Sequence, residues 1–235
     1  MPWISPWSVR WTHISRLFIR DSPRLSVILR DFDGGGAEMA MINTANGIAR
    51  QSVDVDLVVF SDIGPFRAYL DPGVRLVNLR TPTIGLSTFR AVLPLRRYLT
   101  ANSVTHMITT LEATTIVAFL ARKLIADPPS LTIRVATTFD QEKRPKLRDL
   151  LIRYVYRKHR GMFVANSQGS AEALSRALLI PDSRISTIHN GVDLSRIASL
   201  AGQPVTSMDL DEDGRFLLNI GRLTYAKRQD VLIRS

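Results

Sequence analysis

Leu25-Ser-Val-Ile-Leu-Arg-Asp-Phe-Asp-Gly-Gly-Gly-Ala-Glu38 decides the fold. Leu25–Leu29 is a short apolar run, Asp31–Gly36 a turn rich in glycine, and Ala37–Arg50 a helix with Met39, Ile42, Ala45 and Ile48 or Ala49 on one face. A strand that runs through a glycine turn into a helix is the opening of a βαβ unit. The glycines are contiguous, so this is not the spaced dinucleotide fingerprint. Gly35 and Gly36 allow close backbone approach, and a helix N-terminus offers free N–H groups with a partial positive charge. Together they suit a phosphate or a sugar hydroxyl. A glycine turn before a helix also has a purely conformational use.

The alternation continues outward. Strands are expected at Val53–Phe60, Val74–Leu79, Val104–Thr109, Leu131–Thr137, Met162–Ala165 and Arg184–Ile188. Helices are expected at Thr88–Leu99, Thr114–Ile125, Lys146–Arg157 and Ser170–Leu179, the last capped by Ser167 or Ser170. Several strands lack polar alternation, as expected of a sheet covered on both faces. The fold class is therefore α/β: a Rossmann-like parallel sheet with helices on both faces, in a domain spanning 25–200. Ligands of such sheets bind beyond the carboxyl ends of the strands.

Composition narrows the chemistry. The 235 residues include no cysteine, which excludes disulfides, thiolate metal sites and cysteine nucleophiles. The four histidines have no metal-binding spacing, and no metal is expected. No apolar run approaches 18 residues, the length of a membrane span. The formal net charge of +10 fits either an anionic partner or a solvated basic face. Gln141–Arg160 concentrates that charge, with eight basic residues against two acidic ones. The basic clusters lack the interleaved aromatics of a nucleic-acid motif, so nucleic acid is not an expected partner.

Residues 1–24 form a basic leader with Trp3, Trp7 and Trp11, read either as an interfacial amphipathic helix or as a disordered segment containing Pro2, Pro6 and Pro23. Residues 201–215 are polar and read as a linker or surface loop. Residues 216–235 begin another strand-turn-helix: a buried strand from Phe216, a Gly-Arg turn, and a helix from Gln229.

The residues after each strand are the candidate site. Glu112 could contact a sugar or act as a base, or could serve the dipole of the helix it opens. Asn166 and Ser167 could line the cleft, although a cap explains Ser167. His189-Asn190-Gly191 is a turn, with His189 in a core or hinge role. Gly221-Arg222 through Lys227 places a guanidinium and an ammonium near a helix start, where a bound diphosphate would relieve their conflict with the dipole.

Four motifs occur in register: GGGAE at 34–38, VANSQGSAEAL at 164–174, ISTIHNGVD at 185–193 and LLNIGRLTYAKRQDVLI at 217–233. On them the chain resembles the family 4 glycosyltransferases, which have the GT-B fold. The resemblance covers Leu25–Ser235: the acceptor-side domain and the opening of a donor-side domain. It implies a retaining hexosyl-type transfer from a nucleotide sugar to a glycan or lipid-linked acceptor of the cell envelope. It implies that Gly35 and Gly36 approach the donor phosphates and acceptor, and that Arg222 and Lys227 hold the donor diphosphate without a metal or other cofactor. Where many members carry a histidine after the fourth strand, this chain has Thr109–Thr115. The family's Glu-x7-Glu segment and base and ribose contacts are expected beyond Ser235.

Two other readings stand beside the enzyme. One is a truncated, non-catalytic remnant or one part of a split transferase. The other is a GT-B sugar-nucleotide epimerase. For the enzyme, the expected setting is the cytoplasm, with Lys143–Arg160 against the anionic inner face of the membrane.

Overall fold

The computed structural model describes residues 24–33, 35–82, 85–136, 146–203, 217–221 and 227–234. The leader, apart from Arg24, lies outside them, as does 204–216. The chain divides into two compact units, Met1–Asp193 and Leu194–Ser235.

The first unit is built on seven parallel strands: β1 (Leu25–Leu29), β2 (Val55–Val59), β3 (Arg75–Asn78), β4 (His106–Thr110), β5 (Ser130–Val135), β6 (Phe163–Ala165) and β7 (Ile185–Thr187). Their order is β3-β2-β1-β4-β5-β6-β7, and every pairing is parallel. The connecting helices are α1 (Gly36–Ala49), α2 (Val92–Ala101), α3 (Glu112–Lys123), α4 (Lys146–Lys158) and α5 (Gln168–Leu178). The expected Rossmann-like sheet is present.

Period-two alternation sends β1 and β2 into two cores. Val27, Leu29, Leu57 and Val59 pack with Met41, Ile42 and Ala45 of α1. Ile28, Val58 and Phe60 face the other way, into a larger core filled by α2, α3, α4 and α5. Helices cover both faces, but unevenly. Thr132, Arg134, Val164 and Ser186, one step out of phase with the larger core, belong to neither apolar cluster.

Several boundaries differ from expectation, and of the two caps expected for α5 one is present. The helix expected from Thr88 begins at Val92, after a 3-10 segment over Gly85–Ala91. Pro94 lacks an N–H and fits only in a first turn. The third helix starts at Glu112 rather than Thr114. Ser167, not Ser170, caps α5: its Oγ accepts from Ser170 N at 3.2 Å.

The second unit contains α6 (Leu194–Ala201), a helix not among those expected, and α7 (Gln229–Arg234), where a helix is expected. The expected buried strand is a correction. Leu217–Ile220 are exposed and form no strand, and no strand among the described residues pairs with them.

Candidate functional site at the carboxyl edge of the sheet

From β1 the chain crosses to β2 on one side, and from β4 to β5 on the other. Between them lies the switch point, where open α/β sheets leave a crevice. The β1 exit is firmly held. Asp31 is buried; its Oδ1 accepts from Asp33 N at 3.1 Å and its Oδ2 from Arg30 Nε at 2.8 Å. Phe32 N donates to Ile63 O at 2.8 Å. Gly64, at φ +122, lies so close that a Cβ would meet Phe32 C at 2.2 Å.

Beyond this loop Gly35 is the N-cap of α1, and no side chain caps that end. Its φ of −159 and ψ of 160 are extended and open to any residue. A Cβ on Gly36 would meet nothing within 4 Å. Packing therefore does not require glycine at 36, which is exposed, and backbone conformation does not require it at 35. Gly34 lies outside the described residues.

The β4 exit is strained. Leu111 has φ +63 and ψ 152, a region otherwise almost confined to glycine and costing about 1–3 kcal/mol. Its carbonyl accepts from Thr115 N at 3.2 Å, Thr115 Oγ1 at 2.7 Å and Thr114 Oγ1 at 3.1 Å. Glu112 follows as the first residue of α3, and its carboxylate lies 2.7 Å from Arg148 Nε of α4. Both roles considered for Glu112 are thus geometrically open, but the acid stands as half of an ion pair.

The exits of β5, β6 and β7 share one hydrogen-bonded cluster. Arg134 of β5 is only 7 % exposed. Its Nη1 donates to Thr110 Oγ1 at 3.1 Å and its Nη2 to Asn190 Oδ1 at 2.6 Å. Burial pushes its pKa down, and the field of Glu38 acts the other way. Asn190 is followed by Gly191, whose carbonyl accepts from Asn43 of α1 at 3.1 Å. His189 is exposed rather than in the core, with Nδ1 3.1 Å from Asn166 O. Asn166 donates from Nδ2 to Ala136 O at 3.1 Å, while its buried Oδ1 has no partner among the described residues.

Asn166, Asn190 and Arg134 therefore converge, and Ser167 stands beside them as a cap. The sequence reading missed Arg134. Its only signal was one arginine inside the apolar run Leu131–Val135. In the second unit Lys227 is exposed, with its Cγ 3.5 Å from where a Cβ of Gly221 would stand. Arg222 lies outside the described residues. No group of three or more potential metal ligands occurs among the described residues.

No curated protein matches the chain in sequence. Solved structures match in fold. The lipopolysaccharide outer core galactosyltransferase WaaB, in its apo form, superposes with a TM-score of 0.57 at 18 % identity, over 73 % of this chain and 46 % of that one. A glycosyltransferase from Rickettsia africae ESF-5 gives 0.58 at 14 % identity, over 79 % and 47 %. Anabaena Alr3699/HepE, solved in complex with UDP and glucose, gives 0.57 at 18 % identity, over 76 % and 49 %. The chain thus spans about half the length of these structures and shares the GT-B Rossmann-like architecture of one of their halves. The model of Glycosyltransferase Family 4 matches residues 34–196, and on that match the chain belongs to this family.

Proposed function

We propose that the chain provides the acceptor-side domain of a retaining glycosyltransferase. A nucleotide-diphosphate sugar is the donor, and a cell-envelope polysaccharide or glycolipid is the acceptor. The observation that carries this reading is the uncapped first turn of α1, entered through Gly35 and Gly36 at the sheet's switch point. N–H groups without a capping side chain attract anions, and residues without side chains leave room for a diphosphate. HepE has been solved with UDP and with UDP-glucose, which supports a uridine nucleotide as the first donor to try.

In this reading Gly35 and Gly36 approach the donor phosphates. Arg222 and Lys227 supply the charge that stabilises the departing diphosphate, so no divalent metal enters the step. Asn166 and Asn190 line the acceptor side, and the unpartnered Asn166 Oδ1 is suited to a sugar hydroxyl. Glu112 becomes available as a base only when substrate displaces Arg148.

The acceptor is held at an anionic membrane surface by α4. Leu147, Leu150 and Tyr154 are 78 %, 67 % and 54 % exposed on one side of this helix, among Lys146, Arg157 and Lys158. Apolar side chains between bases fit an anionic bilayer. Lys143 lies outside the described residues. No helix among the described residues is long and apolar enough to cross a membrane. The surroundings proposed are the cytoplasmic face. Flotation with phosphatidylglycerol vesicles should carry the protein upward; equal flotation of a Leu150→Glu variant would refute this role for α4.

Calorimetry of UDP and UDP-glucose against the wild type and Gly36→Ala tests the donor reading. The substitution meets no atom of the protein, so its melting temperature should hold. Nucleotide affinity should fall by about tenfold or more. Unchanged affinity in a folded Gly36→Ala would overturn the placement at α1.

A further inference from the structure

Arg134 is a buried cation whose two hydrogen-bonded partners, Thr110 Oγ1 and Asn190 Oδ1, are both neutral. A guanidinium carries five N–H donors, which leaves it under-used. Among the described residues no carboxylate forms an ion pair with it. The opposite edge of the same sheet shows what a structural solution looks like. There the buried Asp56 is matched by Arg75 at 2.5 Å and by Arg24 at 3.7 Å. Arg184, a half-buried guanidinium, is occupied by the carbonyls of His159 at 2.7 Å and Gly161 at 2.8 Å. Among the described residues Arg134 has neither kind of direct partner; the field of Glu38 acts in its favour, but burying a charge without a hydrogen-bonded counter-charge is costly.

The neighbourhood adds a second, independent sign of a ligand. Asn190 accepts from Arg134, and its neighbour His189 meets the backbone carbonyl of Asn166, whose buried Oδ1 lacks a donor among the described residues. The adjacent strand exits thus offer spare cationic donors and a spare acceptor, both at the carboxyl edge of the sheet. A ligand satisfying both carries a negative group next to a hydroxyl.

We propose that Arg134 receives an oxyanion, a phosphate or carboxylate, of a hydroxylated sugar-transfer substrate, with Asn166 Oδ1 accepting from an adjacent hydroxyl. The proposal rests on the glycosyltransferase reading above and adds that a substrate is charged beside the transferred or accepting sugar. Two sources share this chemistry: an acceptor bearing a sugar phosphate or uronate, and the diphosphate of the donor.

The test is an NMR titration of the full 235-residue chain, following the Arg134 Nε–Hε signal. The probes are glucose 1-phosphate, glucuronate and neutral glucose. The expected result is a shift of that signal with the two anions and not with glucose. The dissociation constant for glucose 1-phosphate should rise by about tenfold or more in Arg134→Lys, which keeps the charge but loses the planar fork. Repeating the titration at saturating UDP separates the sources: an unchanged constant assigns the site to the acceptor, and displacement assigns it to the donor diphosphate.

An unmoved Arg134 signal, or equal binding by a folded Arg134→Lys, would overturn the proposal. If that variant does not fold, the wild-type signal and Asn190→Ala decide on the same terms. UDP binding that depends on Gly36 while the Arg134 signal stays fixed would sink this inference alone. Sugar-phosphate binding at Arg134 without any UDP binding would sink the donor reading alone.

Discussion

The two edges of the sheet handle buried polarity in opposite ways. At the amino edge Asp56 of β2 is closed in by Arg75, Arg24 and the Tyr98 hydroxyl, and Tyr98 in turn bonds Ser26 Oγ at 2.8 Å. Burial, with the Asp56 bond, pushes the Tyr98 pKa up, and the Asp56 bond raises that of Arg75. Each group around Asp56 has its complement. At the carboxyl edge, among the described residues, Arg134 has only neutral hydrogen-bond partners, Asn166 Oδ1 has none, Leu111 is strained, and the N-cap residue of α1 makes no side-chain cap. Satisfied polarity around Asp56 and open polarity around Arg134 is what a parallel sheet shows when one edge supports the fold and the other handles ligands.

The largest effect that would break this contrast is at Asp56. Asp56→Ala leaves Arg75 and Tyr98 without their acceptor and should cost about 3–5 kcal/mol in urea unfolding. Nucleotide affinity per folded molecule should be unaltered. A cost below about 1 kcal/mol would mean that the amino edge is not the supporting end.

His159 is the exception at the amino edge, and pH exposes it. It precedes β6 at the amino edge, and its Nδ1 has no partner among the described residues. Burial lowers its pKa from 6.5 to about 4; the Met162 carbonyl acts to raise it, and Arg184 and Arg122 act with burial. The folded state then binds fewer protons than the unfolded chain. Its contribution is present above pH 6.5 and is lost as pH falls through about 4. The loss should reach about 3 kcal/mol. His159→Leu should flatten that part of the stability curve. An equal slope in the variant would assign the acid sensitivity elsewhere.

A smaller effect is expected at the strained exit. Leu111→Gly removes the Cβ penalty but loses a half-buried side chain, so stability should stay within about 1 kcal/mol of wild type. Its effect should appear in sugar binding, because the β4 exit is freed to move. A loss of several kcal/mol in a melt would show that the side chain, rather than the backbone shape, is what matters there.

Most of the scaffold was legible because its signals are local. Leu25–Leu29 and Val55–Val59 are apolar runs of strand length, Ser167 is a capping residue in position, and Gly35-Gly36 announce the turn into α1. Local signals failed where a neighbour decides the outcome. Leu217–Ile220 have the composition of a buried strand, but a strand exists only with a partner, and they stand exposed. Pro94 displaced the start of α2 within a segment whose periodicity was sound. The site was legible as a set of strand exits, not as a cluster. Arg134, Thr110 and Asn190 lie far apart in sequence, and only the pairing of β4 with β5 and the return of the loop after β7 join them.

The most direct test of the central claim, that the carboxyl edge is the ligand edge, is hydrogen exchange of the full chain with and without saturating UDP-glucose. Slower exchange is predicted at Gly35–Glu38 and around Asn190, with the amides of Ser26 and Asp56 unchanged. Protection centred on the amino edge, or no protection at Gly35–Glu38 when UDP-glucose is bound, would contradict it.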